Sequence, residues 1–181
     1  AAARATADTA APPPPDESVW RTMVSTGHYG VGLVAALAVT LTVFPGFAFQ
    51  QPSSLGLTEG WLPVLAVATF NVVDCVVRVA NSVLPAMAAP SPFKHACLEV
   101  ANLSGAVAVV LASAFRWPDA VLLACHVSLA ITSGWQINVC FVGADQRAVE
   151  RGAPPAIRER TGTVNQGLIL VGVLVGLSTS T

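Results

Sequence analysis

"WLPVLAVATFNVVDCVVRVANSVL", residues 61–84, decides the fold. Its length is close to the ~20 residues that a helix needs to cross a bilayer. It has none of the apolar–polar alternation of a barrel strand. Yet it carries Asn71, Asp74 and Arg78 inside an otherwise apolar run. A charged residue at the centre of a membrane helix costs about 2.5–3.5 kcal/mol on insertion scales, so two of them call for partners. Asp74 and Arg78 stand four residues apart and Asn71 three before Asp74, so all three share one helix face. A carboxylate accepts from hydroxyls and a guanidinium donates, so the pair can grip a polyhydroxylated solute such as a sugar ring. The alternative is an internal ion pair that only fixes helix packing.

The rest of the chain agrees with a membrane reading. Of 181 residues, 54% are hydrophobic and 10% charged, against roughly 25% charged in soluble domains. Mean hydropathy is +0.65. A formal net charge of −1 gives no basic footprint for nucleic acid. Apolar segments at about 26–49, 61–84, 97–115, 118–142 and 161–177 predict an all-α polytopic protein with five transmembrane helices. Residues 1–22, with consecutive prolines at 12–15, are expected to be a disordered Pro/Ala-rich cytoplasmic linker, and 23–181 the bundle.

Orientation follows from the basic residues. Arg4, Arg21, Lys94, Arg147, Arg151, Arg158 and Arg160 fall on one side and Arg116 on the other. The positive-inside rule then puts the N-terminal tail in the cytoplasm and the C-terminus outside it. The expected location is integral and multi-pass, with the plasma membrane the first choice.

Other polar residues have bland readings beside the sharp ones. Ser128, Thr132 and Gln136 recur every four residues in the fourth segment, and either line a pathway or bond to neighbouring helices. His126 either relays protons or satisfies a local partner. Asn165 and Gln166 stand at a gate or in the solvated interface. Pro45 and Gly46 either kink the first helix or mark its end. Gly172 and Gly176 in "GVLVG" form a small-xxx-small face for close helix contact. Asn102, Ser104 and Gly105 have the composition of a packing surface. The tryptophans Trp20, Trp61 and Trp117 stand near helix ends as interface anchors, whereas Trp135 has an internal position. Cys75, Cys97, Cys125 and Cys140 have no metal-ligand or disulfide spacing and read as small buried hydrophobes. No phosphate loop, catalytic triad or paired catalytic carboxylates appear, so neither an enzyme nor a cofactor or metal site is expected.

Four stretches carry a resemblance. "TLTVFPGF" (40–47), "FNVVDCVVR" (70–78), "TSGWQINVCFVGA" (132–144) and "TGTVNQGLILVGVLVGLSTS" (161–180) resemble, in order, segments of the seventh, eighth, tenth and last helices of equilibrative nucleoside transporters. That family has eleven helices in a major-facilitator-like fold, six in one half and five in the other. The resemblance implies that this chain is the C-terminal half. It implies a nucleoside or nucleobase substrate moved by alternating access, a lipid bilayer around it, and a missing six-helix N-terminal half as partner. Asp74 and Arg78 match the pair that holds the ribose hydroxyls, Asn71 a neighbouring cavity residue, and Phe44 an aromatic near the substrate. Val77 stands where the family has glycine, and Ser133–Trp135 lacks its asparagine. Two other readings compete with this one. One is a non-transporting relative or assembly subunit, and the other is a carrier of a different polar solute.

Overall fold

The computed structural model describes residues 24, 26–44, 61–84, 89–152 and 155–179, the side chains of 155–160, 162 and 177–179 excepted. Within them the fold is all-helical: α1 (His28–Val43), α2 (Trp61–Val83), α3 (Pro92–Ala114), α4 (Asp119–Glu150) and α5 (Pro155–Thr179). Helices α2, α3 and α4 are long and apolar enough to cross a membrane, and α1 is a shorter apolar helix. The outward faces suit lipid. Val72, Val76, Val79 and Val83 on α2 and Val100, Leu103, Val107 and Leu111 on α3 are exposed. Trp20, Pro45, Gly46 and the tail lie outside the described residues.

α4 is the central post and packs against each of the other four helices. Its apolar face of Leu122, Leu129, Ala130, Ile137, Val139 and Cys140 is buried. α2 and α3 each lie along α4, α1 fills the seam between α3 and α4, and α5 lies along α1. The last pairing depends on glycine. A Cβ on Gly172 would stand 2.9 Å from Leu37 Cβ and 3.0 Å from the Val34 carbonyl, and one on Gly176 would stand 2.7 Å from Leu41 Cβ. The small-xxx-small face thus receives the backbone of α1.

Several helix boundaries differ from the hydropathy reading, one of them the start of α5 at Pro155, six residues before its apolar run. α3 begins at Pro92, five residues before its apolar run. Ser91 is the N-cap, its side chain accepts from Lys94 N, and Pro92 takes the first turn, where no N–H is needed. Replacing Ser91 with alanine should destabilise the chain by about 1 kcal/mol, seen as a lower melting temperature, whereas Ser91→Asp should hold it.

α4 continues to Glu150, beyond the apolar run that stops near 142 and into the stretch between the fourth and fifth apolar segments. At 32 residues it is about 48 Å long, against ~30 Å of hydrocarbon. Its last turns are amphipathic. Ala144 and Ala148 are fully buried, Asp145 and Gln146 are exposed, and Tyr29 of α1 packs over Gly143. Gly152, with φ 68°, then ends it in the left-handed conformation that glycine adopts without penalty. α3 and α4 are joined by residues 115–118, turned through a left-handed Arg116 with φ 51°.

Candidate functional site

The central residues lie where α2 crosses α4. Arg78 Nε donates to Asp74 Oδ2 at 2.7 Å, one helical turn apart. The Asp74 side chain is 17% exposed and that of Arg78 41%, so the pair stands at an edge of the bundle with the guanidinium outward. Asp74 Oδ1 is buried and accepts no hydrogen bond within the described residues. It faces Gly134 of α4, where a Cβ would come within 2.7 Å of that oxygen and 3.2 Å of the Asp74 carbonyl. One turn further along α4, Asn138 Nδ2 donates to the Arg78 carbonyl at 3.4 Å. Gly134 and Asn138 therefore form the wall behind the pair, which the sequence reading missed. Their signal was the same four-residue spacing as 74 and 78, on the helix that faces them.

The pair can act on a ligand in two ways. Arg78 carries five N–H donors and commits Nε to Asp74, leaving its outward end for an acceptor. The unsatisfied Oδ1 can accept from a hydroxyl if the α2–α4 seam opens. A buried carboxylate oxygen without a donor is an unfavourable arrangement to leave unmet.

Asn71 does not join them. Its Nδ2 donates to the Val67 carbonyl of its own helix at 2.9 Å, on an exposed face. Phe44, the C-cap of α1, meets α2 one turn before Asp74. Its ring stacks on Phe70 with centroids 4.3 Å apart, four residues before Asp74, and meets His126 edge-on at 5.9 Å. It is buried in the main apolar cluster with Leu62, Phe70 and Val109.

The Ser128, Thr132 and Gln136 series splits. Ser128 is exposed, the Thr132 hydroxyl bonds back to the Ser128 and Leu129 carbonyls, and Gln136 is fully buried beside Glu99. The reason is rotational. Each four-residue step turns about 40° around the helix, so eight residues turn about 80°.

His126 is fully buried and its Nδ1 bonds the Leu122 carbonyl at 2.8 Å. Asn102 reaches across to the Ala36 carbonyl at 3.5 Å, and Asn165 is buried in α5. Trp135 is partly buried against the cluster of Tyr29, Leu98, Val139 and Ala144, as its internal position implied. The cysteine reading needs correction. All four are free and Cys140 is buried, but Cys75 and Cys97 are exposed, because they fall on the outward faces of α2 and α3. Among the described residues, no group of three His, Cys, Asp or Glu side chains is placed to hold a metal ion.

Over 66 residues, 36% of this chain, the sequence is 33% identical to Equilibrative nucleotide transporter 1 of Arabidopsis thaliana. The match spans 14% of that relative's length. No family model and no solved structure matches the chain.

Proposed function

We propose that this chain is the five-helix C-terminal half of a membrane carrier for nucleosides or closely related ribose-bearing solutes. The observation that carries the reading is the Asp74–Arg78 pair: an aspartate and an arginine in the middle of a helix apolar enough to span a membrane, with one carboxylate oxygen unsatisfied. Ionisable residues in such helices mark solute pathways. The similarity to a nucleotide transporter supports the solute class, since nucleosides and nucleotides share the ribose. The exposed flank of α2, with Asn71 and Arg78 on it, is where the six-helix half would face this one. The solute would bind between the halves, and rocking of one against the other would expose it to each side in turn. The reaction is transport and breaks no covalent bond.

Counterflow tests the solute class. The full-length carrier is reconstituted in proteoliposomes preloaded with unlabelled adenosine or uridine. Labelled nucleoside should accumulate transiently inside, and preloading with hexose or amino acid should not drive it. Accumulation driven by a hexose or an amino acid, and not by nucleosides, would replace this reading with a carrier for that solute.

A further inference from the structure

A second ionisable pair lies on the α1–α3 seam, apart from the Asp74–Arg78 pair. His95 of α3 is buried, and its Nε2 stands 3.6 Å from Oε1 of the half-buried Glu99, whose side chain is 31% exposed, one turn along the same helix. The helices packed on α3 are α1 and α4. From α1 come His28 and Tyr29, with ring centroids 5.3 and 5.1 Å from that of His95. From α4 come Cys140, whose Sγ is 3.8 Å from His95 Nδ1, and Gln136 beside Glu99. Arg147 and Glu150 of α4 stand next to Tyr29. The seam is shaped for the pair. A Cβ on Gly32 of α1 would fall 2.3 Å from His95 Cε1 and 2.5 Å from Glu99 Oε1.

An acid and a base held together in an apolar bundle share one proton best as a neutral acid beside a neutral imidazole, because a carboxylate beside an imidazolium sets two charges in the apolar seam. Removing the proton leaves a single uncompensated carboxylate beside His95. A polar cavity lies close to the site, with Tyr29 between them. It has a volume of about 120 Å³ and is lined by Tyr29, Pro90, Pro92, Gly143, Gln146, Arg147 and Glu150. Tyr29 forms part of its wall and lies against His95 on its other side.

We propose that His95 and Glu99 form a proton-binding site that holds one exchangeable proton between imidazole and carboxylate, loaded from the aqueous end of the bundle through the Tyr29 cavity. Binding takes one proton from water at that mouth and returns it there; no other reactant takes part. Because Gly32 seats α1 against the pair, gain or loss of the proton acts on the α1–α3 seam. The site stands on this cluster alone and needs no particular solute.

Infrared difference spectroscopy of the full chain in lipid nanodiscs, stepped reversibly between about pH 8 and pH 5, reads the proton directly. A protonated-carboxyl band should rise and fall across that window. It should be absent in Glu99→Gln and keep its midpoint in Asp74→Asn. In His95→Gln its midpoint should move by about one pH unit or more, since the base that shares the proton is gone. Should Glu99→Gln not fold, Glu99→Asp serves in its place and should shift the frequency of the band. Absence of any such band in the wild type overturns the proposal. So does a band that persists unaltered in the Glu99 variants, or a midpoint that His95→Gln leaves in place.

Discussion

Leucine at both 172 and 176 is expected to separate α5 from α1 and abolish the monodisperse folded chain on gel filtration in detergent. At Gly176 an added side chain meets Leu41 Cβ at 2.7 Å, the Ala38 carbonyl at 3.0 Å and the Thr42 amide at 3.3 Å. At Gly172 it meets Leu37 Cβ and the Val34 carbonyl at 2.9 and 3.0 Å. All of these neighbours are backbone or Cβ atoms, which cannot rotate away. Overpacking costs about 1–3 kcal/mol per site, and two sites on one seam compound it. The single Gly172→Ala and Gly176→Ala variants should each lower the melting temperature in a graded way. Gly167→Leu is the control. A Cβ there meets nothing within 4 Å, so it should leave the melting temperature close to wild type. Equal tolerance of leucine at all three positions would mean that α1 and α5 do not cross as described.

The second large effect falls on the pair at 74 and 78. Asp74→Ala leaves the Arg78 guanidinium without its 2.7 Å partner on an apolar helix. An unpaired charge there costs about 2.5–3.5 kcal/mol, so the single variant should be less stable than wild type. Asp74→Ala with Arg78→Ala removes both charges and should recover most of that stability, because two apolar side chains need no partner. Solute uptake should behave differently and fall at least tenfold in both the single and the double variant. Recovery of stability together with uptake would reduce the pair to packing. Loss of uptake with stability restored marks it as a binding element.

The fold class was legible from apolar run lengths and the scarcity of charge. The ends of the helices were legible only where hydropathy changes at the boundary. α2, which begins at Trp61 and ends at Val83, is such a case. α3 is not, because Ser91 and Pro92 start it inside a polar, proline-bearing stretch. That early start hid His95 and Glu99. They form an i, i+4 ionisable pair like Asp74 and Arg78, but His95 lies before the apolar run. α4 extends past its apolar run because packing of Ala144 and Ala148, together with Tyr29 over Gly143, sustains the helix where hydropathy fails.

Within the site, the Asp74–Arg78 contact followed from spacing alone, since residues four apart on a helix are neighbours. Asn71 had the spacing too, yet it bonds its own Val67 carbonyl, a local partner that is always within reach on a helix. Gly134 could not be identified from α2. Its role is set by how close α4 approaches Asp74, which is a property of the packing and not of either segment.

Uptake of labelled adenosine and uridine into transport-deficient cells tests the central claim most directly. The cells express the longest reading frame that contains this chain, as wild type or as Asp74→Asn, with surface abundance measured in parallel. Saturable uptake by the wild type that falls at least tenfold in Asp74→Asn, at equal surface abundance, is the predicted result. Undiminished uptake by the variant, or none by a correctly inserted wild type, would contradict it.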